Sequence, residues 1–206
     1  MIKVFLVDDH AMFRAGIKLV LGSADGIQVV GEAGDGWDLL RALESPELRV
    51  DVVLLDLSMP RLNGLEVLAR LRDLRPTVAA LVISMPPEEL YASQVIAAGG
   101  SGYLSKGSSE QLLIEAVRTV AAGRLFLSRP RAAAPTGDRA RHLELSARET
   151  QIFMLLIGHR AVSDIAAELD LAMSTVSTYV GRIRTKLGVS SVGEIIAYAH
   201  REGLVE

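Results

Sequence analysis

Five short apolar runs, each paired with a helical pattern, constrain this 206-residue chain more than any other feature. The runs are Ile2–Val7, Gln28–Ala33, Val52–Leu55, Ala80–Ile83 and Gly102–Leu104. Helical spacing recurs over Ala11–Leu21, Trp37–Glu44, Gly64–Leu74, Glu88–Ala98 and Ser109–Ala122. In the last of these, Leu112, Leu113, Ala116, Val117 and Val120 share one face, and Ser108 or Ser109 is placed to cap it. Strands that are apolar throughout and alternate with helices predict a five-stranded parallel sheet covered on both sides. Half of the residues are hydrophobic, so a substantial core is expected.

Polar residues close four of the runs. Ile2–Val7 ends in Asp8-Asp9, Val52–Leu55 in Asp56, Leu81-Val82-Ile83 in Ser84, and Gly102-Tyr103-Leu104-Ser105 runs into Lys106. In an open parallel sheet the C-terminal strand ends share one edge, where ligands bind. Three acids, a hydroxyl and an amine are therefore expected at one point. Cysteine is absent, which excludes disulfides and thiolate metal sites and suits a reducing cytoplasm. No apolar run approaches the roughly 20 residues of a membrane span. Met1-Ile2-Lys3-Val4 leads directly into a strand pattern, so no signal peptide is expected.

The pattern changes after Gly123. Residues 125–142 carry Pro, Gly and Arg without apolar period over most of their length and read as a linker between residues 1–124 and 143–206. Beyond them only helical signals occur. Ser146 and Glu149 have capping-box spacing ahead of Ile152–Ile157. Ser163–Leu169 is followed by a four-residue stretch, Asp170–Met173, and Ser174 is placed to cap Thr175–Leu187 before Gly188. A last helix spans about Val192 to Arg201 and stops at Gly203. Two helices joined by a short turn read as a helix-turn-helix. Net charge is −4 over residues 1–128 (12 Lys+Arg, 16 Asp+Glu) and +1 over 129–206 (10 against 9), too little alone to argue for nucleic acid.

With Asp8-Asp9, Asp56 followed by Met59-Pro60 and Gly64, Ser84, and Gly102 to Lys106, residues 1–124 resemble a response-regulator receiver domain. Residues 143–206 resemble the LuxR-type helix-turn-helix, through Leu145–Glu149, Asp164-Ile165-Ala166, Ser174-Thr175-Val176 and Lys186–Val189. Together they resemble a regulator of the NarL/FixJ type. The resemblance implies a flavodoxin-like (βα)5 receiver joined to a small all-α DNA-binding domain.

The acidic edge then has an expected chemistry. Each pair of carboxylates 4 Å apart costs about 4 kcal/mol at an effective dielectric of 20, and a divalent cation relieves this. Mg²⁺ takes oxygen ligands and keeps several waters. Asp9 and Asp56 are expected as direct ligands, Asp8 through water, with the Ser58 backbone carbonyl added as the family implies. Asp56 is the expected nucleophile and phosphoacceptor, with Lys106 and Ser84 on further phosphoryl oxygens. The resemblance implies a sensor histidine kinase as donor, and Tyr103 as an aromatic that turns inward when Ser84 moves to the phosphoryl group. Met85-Pro86-Pro87 predicts a stiff loop after Ser84. A dedicated phosphohydrolase would want a second acid two residues after Asp56. Ser58 stands there, so a regulator and not an enzyme is expected.

In a helix-turn-helix the second helix enters the major groove. Ser177, Thr178 and Gly181 match the family's base-reading positions, two of which commonly hold lysine in the family. Ser174, Thr175, Arg182 and Lys186 complete the expected DNA contacts, with Arg184, His159 and Arg160 as further phosphate candidates. The stripe Val192, Ile195, Ile196 and Ala199 leaves outer residues for a homodimer, which predicts inverted half-sites about one helical turn apart. Aspartyl phosphate is expected to favour the DNA-binding dimer by a population shift. The alternative is a receiver controlled independently of phosphorylation.

Overall fold

The computed structural model describes residues 1–59, 61–85, 88–127, 141–202 and 204. The chain divides into two compact units, residues 1–130 and 131–206. In the first, the elements are β1 (Ile2–Val7), α1 (Ala11–Gly22), β2 (Ile27–Ala33), α2 (Gly36–Glu44), β3 (Val52–Leu55), α3 (Gly64–Leu74), β4 (Ala79–Ser84), α4 (Glu88–Ala97), β5 (Gly102–Ser105), α5 (Glu110–Ala121) and β6 (Phe126–Leu127). The sheet is wholly parallel, in the order β2-β1-β3-β4-β5-β6. β6 adds a sixth strand to the five expected. It pairs Phe126 with Gly102 and Leu127 with Tyr103, and Phe126 is buried. Its two residues are too few for a periodic signal in the sequence. The proposed linker 125–142 thus begins on a strand residue pair, and its middle, 128–140, lies outside the described residues, as do Pro60, Pro86, Pro87 and Gly203.

Alternation along each strand divides the core. Val4, Leu6, Val52, Leu54, Leu81, Ile83, Leu104 and Phe126 pack with Ile17 and Leu21 of α1 and Leu113, Ala116, Val117 and Val120 of α5. The intervening Phe5, Val7, Val53, Leu55, Val82 and Tyr103 are also buried, toward the opposite face. The helix entries follow local chemistry. Asp35 caps α2 by accepting from the Trp37 and Asp38 amides, Asn63 caps α3 through Leu65, and Ser109, not Ser108, caps α5 through Leu112. β1 lies between β2 and β3, so chain order reverses there. The crevice at such a reversal, beyond the strand C-termini, is where this architecture places a ligand.

The second unit contains a 3₁₀ turn at Arg141–Glu144 and the helices α6 (Ala147–Ile157), α7 (Val162–Glu168), α8 (Met173–Leu187) and α9 (Val192–Arg201). Ser146 and Glu149 form the expected reciprocal capping box on α6. Ser174 does not cap α8. The helix begins one residue earlier than Ser174, its N-cap is Ala172, and no side chain caps it. Gly188 ends α8 at φ 70°, in the left-handed region that favours glycine. Leu145, Ile152, Phe153, Leu156, Ile165, Val176, Val180, Ile183, Leu187 and Ile195 form a single core. No described helix is long and apolar enough to cross a membrane.

Candidate functional site

Backbone pairing continues one residue beyond the strands and aligns the site. The Asp56 amide donates to the Val7 carbonyl at 2.9 Å, and the Lys106 amide to the Ser84 carbonyl at 2.9 Å. This places Asp8 and Asp9, Asp56, Ser84 and Lys106 side by side along the edge. Gly64 makes the return into α3 possible, because a Cβ there would lie 2.5 Å from the Asp56 carbonyl oxygen.

Asp56 is 1% exposed and both its carboxylate oxygens are engaged. The Ser84 hydroxyl donates to Oδ1 at 2.8 Å, and the Ser58 amide to the same atom at 3.2 Å. The Lys106 ammonium donates to Oδ2 at 2.7 Å and lies 2.7 Å from Asp8 Oδ2. Burial disfavours the Lys106 ammonium, but the Asp56 and Asp8 charges outweigh it and hold its pKa above the ordinary value. Its Nζ lies over the Phe13 ring, 4.7 Å from the centroid. Burial also raises the Asp9 carboxyl, opposed by His10 and reinforced by the Asp56 and Asp8 charges.

The cluster fits a hard cation. Ligand atoms of Asp8, Asp9, His10 and Asp56 lie within 4.8 Å of one another. Asp8 Oδ2 is buried beside Lys106 as a charge pair but has no aligned hydrogen-bond donor, which leaves a lone pair for an ion or its water. Oxygen-rich donor sets of this kind suit Mg²⁺ rather than a thiophilic metal. His10 was not among the expected site residues. Its Nδ1 lies 2.8 Å from Asp9 Oδ1 and 3.2 Å from Asp8 Oδ1. The one signal available was its position directly after the two acids. Phe13, Arg14 and Tyr91 were likewise missed. The Arg14 guanidinium bonds the Asp8 carbonyl. Tyr91 is buried, and burial together with the Asp56 charge pushes its hydroxyl pKa up.

Tyr103 is fully buried, its ring already inside the protein while Ser84 is bonded to Asp56. The expectation was that on phosphorylation Ser84 moves toward the phosphoryl group and leaves space for Tyr103 to turn inward.

In the second unit, α8 buries Val176, Val180, Ile183 and Leu187 and turns Met173, Ser174, Ser177, Thr178, Arg182 and Arg184 to solvent. Thr175 and Gly181 are half-exposed, and a Cβ at Gly181 would meet nothing within 4 Å. The Thr178 hydroxyl donates back to the Ser174 carbonyl at 2.9 Å, leaving its methyl and lone pairs outward. Arg182 lies over Tyr179, 5.5 Å from the ring centroid. Exposed His159 and Arg160 follow α6.

Lys186 is placed differently from the expectation. Its ammonium lies 2.6 Å from Glu149 Oε2 and 3.1 Å from the Glu144 carbonyl. It ties the end of α8 to the capping box of α6 instead of presenting a free charge to a phosphate. Burial disfavours the Glu149 carboxylate, but Lys186 and the Ser146 amide and hydroxyl outweigh it, and the pKa is lowered from 4.5. A lowered folded-state pKa contributes stability above the unfolded value that is lost as pH falls through the folded one. Glu149→Gln is expected to cost about 1 kcal/mol at pH 7 and to flatten the acid limb of the helical unit's stability below pH about 4.5. Urea melts across that range, followed by helical circular dichroism, check this; a variant curve parallel to wild type would refute it.

A parallel sheet with this acid cluster at its chain reversal, together with a helix-turn-helix unit, defines a response regulator. Residues 4–118 match the response regulator receiver domain family and residues 143–199 the luxR family of bacterial regulatory proteins. The chain belongs to the response regulators with a receiver domain and a LuxR-type DNA-binding helix-turn-helix. It is 36% identical to the response regulator GacA of Pseudomonas syringae pv. syringae over 214 residues, spanning 100% of this chain and 99% of GacA. Identity to UvrY of Escherichia coli is 35% over 211 residues, covering 99% and 96%. Among solved structures, RcsB of Salmonella typhimurium is 26% identical with a TM-score of 0.60, covering 97% of this chain and all of that one. An RcsB–DNA complex is similar at a TM-score of 0.58 and 26% identity, covering 97% and 98%.

Proposed function

We propose that the chain is a transcription regulator whose receiver accepts a phosphoryl group on Asp56 from a sensor histidine kinase. It is a regulator and not an enzyme, in keeping with Ser58 two residues after Asp56. The observation that carries the reading is the pairing of Asp56 with both Ser84 and Lys106, at 2.8 and 2.7 Å. A carboxylate so held has its oxygens oriented, and the hydroxyl and ammonium are in place for the phosphoryl oxygens that would join it.

Phosphoryl transfer is mostly positioning and charge neutralisation. Asp56 Oδ supplies the electron pair that forms the new O–P bond, and the kinase histidine nitrogen departs. Lys106 follows one phosphoryl oxygen, and the Ser84 hydroxyl follows another. Asp9 and Asp56, with Asp8 through water and the Ser58 carbonyl, are the residues that would hold Mg²⁺. When bound, Mg²⁺ supplies neutralising charge to the acids and the phosphoryl group.

α8 is the helix that enters the major groove, by its sequence family and by analogy with RcsB, which is solved on DNA. Ser174, Ser177 and Thr178 supply hydrogen bonds to base edges, the Thr178 methyl suits a thymine methyl, and Thr175 lies beside them. Arg182 and Arg184 suit phosphates. The half-buried Val192 and Ile196 on α9 support a homodimer on inverted half-sites. Chromosomal DNA as target places the regulator in the cytoplasm.

Gly181 gives a direct test of the surface. Gly181→Lys is expected to stabilise the helical unit by about 0.5–1 kcal/mol, since glycine is a poor exposed helix residue, and to steepen the salt dependence of DNA binding by about one unit. A variant with an unchanged slope of log K against log salt would remove Gly181 from the interface.

The test of the whole reading is phosphoryl uptake by intact mass, with a small acyl phosphate donor and Mg²⁺, followed by DNA-pool affinity of the two forms. Uptake of one group with tighter DNA binding supports it; no uptake under any donor or metal condition overturns it. The Met85-Pro86-Pro87 sequence after Ser84 favours a second reading, in which the receiver is controlled independently of phosphate. Equal DNA affinity of the two forms, and of Asp56→Asn, would select that reading.

A further inference from the structure

We propose that Asp35 and Arg61 form a positioning pair that holds the β3–α3 connection, and with it the Asp56–Ser58 turn, in the geometry that receives the divalent cation. The inference rests on the proposed phosphoacceptor function and extends it to two residues outside the acid cluster.

Asp35 is buried, and its carboxylate is used twice. Oδ1 accepts from the Trp37 and Asp38 amides at 2.8 and 3.0 Å, which caps α2. Oδ2 is paired with the Arg61 guanidinium. Capping alone does not need the charge, because asparagine and serine cap as well as aspartate. The buried negative charge faces the N-terminus of α2, which favours an anion, and Arg61, its cationic partner.

Arg61 adopts φ 63°, in the left-handed region that favours glycine. A non-glycine residue persists there when its surroundings over-determine it, and such residues cluster at functional sites. Arg61 is the only charged residue between Asp56 and Gly64. On its C-terminal side Leu62 is buried beside the start of α2, since a Cβ on Gly36 would meet Leu62 at 3.1 Å. The Gly64 amide closes the loop on the Leu57 carbonyl at 3.2 Å. Closure by Gly64, packing of Leu62 and the Arg61 ion pair thus act on one short connection. That connection begins with Ser58, whose amide orients Asp56 Oδ1. Freeing Arg61 releases the tip of this loop and lets the Ser58 carbonyl and the Asp56 side chain wander relative to Asp8 and Asp9.

The test uses the full chain and four variants. Asp35→Asn keeps the cap and removes the charge. Arg61→Ala keeps the backbone strain and removes the pair, Arg61→Lys keeps the charge, and Arg61→Gly removes both strain and pair. Mg²⁺ dissociation constants are measured by calorimetry, phosphoryl uptake on Asp56 by intact mass, and thermal midpoints alongside. Asp35→Asn and Arg61→Ala are expected to bind Mg²⁺ about five-fold more weakly, the change that roughly 1 kcal/mol makes, with slower uptake. Arg61→Lys is expected to restore most of the affinity. Arg61→Gly is expected to melt above Arg61→Ala, because the strain is gone, while losing Mg²⁺ affinity as Arg61→Ala does, a split that a merely structural contact does not produce. Wild-type Mg²⁺ affinity in both Arg61→Gly and Asp35→Asn would overturn the pair and leave the phosphoacceptor reading standing. A wild-type chain that neither binds Mg²⁺ nor takes up a phosphoryl group would overturn that reading and the pair with it.

Discussion

Asp56→Asn is expected to abolish phosphoryl uptake, with a loss in rate of at least about a thousandfold. An amide has no anionic oxygen to form the O–P bond, while its carbonyl still accepts from Ser84 and its size leaves the site intact. The fold should therefore survive. The strand end is pinned by the Asp56 amide on the Val7 carbonyl, which the substitution does not touch. Intact mass after incubation with a small acyl phosphate and Mg²⁺ checks the result against wild type. A phosphoryl group appearing on the variant at the wild-type rate would place the acceptor elsewhere, and Asp8, Asp9 and Asp56 would become an ion-binding cluster without transfer chemistry.

The second large effect belongs to Lys106→Met, expected to cost the metal-free receiver about 3 kcal/mol at pH 7. Lys106 is 7% exposed in its side chain and stands between Asp8 and Asp56, which are 4% and 1% exposed. Removing one partner of a buried charge set leaves the others uncompensated, which costs about 3–5 kcal/mol. The sign with pH follows from its raised pKa. The pair's contribution is complete below the ordinary value of 10.5 and is lost as pH rises through the folded one, so pH 7 samples it fully. Added Mg²⁺ brings opposite charge to the same carboxylates and should stabilise the variant more than the wild type. Urea melts with and without Mg²⁺ measure both. An equal Mg²⁺ increment in the two proteins would show that Lys106 does not neutralise this site.

Much of this architecture was legible in the chain because its signals are local. Val52–Leu55 is apolar on both faces, so it had to be an interior strand, and Asp56 directly after it had to stand at the sheet edge. Ser146 and Glu149 are three residues apart, so their capping box needed no distant partner. Where a role depends on a neighbour far along the chain, the sequence was silent or misleading. Lys186 has the composition of a DNA-facing cation on a helix, yet Glu149, 37 residues earlier, takes its charge. Ser174 is a good capping residue, but the helix starts before it. Phe13 joins the acidic site only through its contact with Lys106, a residue far along the chain.

The order of strand and helix runs, the acids at the strand ends, the two-unit organisation and the resemblance to a receiver with a LuxR-type helix-turn-helix were determined by the sequence alone. Hydrophobic periodicity and capping act over a few residues, and composition displays them. Only the tertiary structure decided that Tyr103 is buried, that Ser84 bonds Asp56, that Lys106 bridges two carboxylates, that Lys186 pairs with Glu149, and that Arg61 is tied to Asp35. Each is a pairing between residues distant in sequence, set by strand order and helix docking. The energy of such a pair depends on a distance of a few ångströms and on the water excluded around it, and neither is written in the one-dimensional pattern.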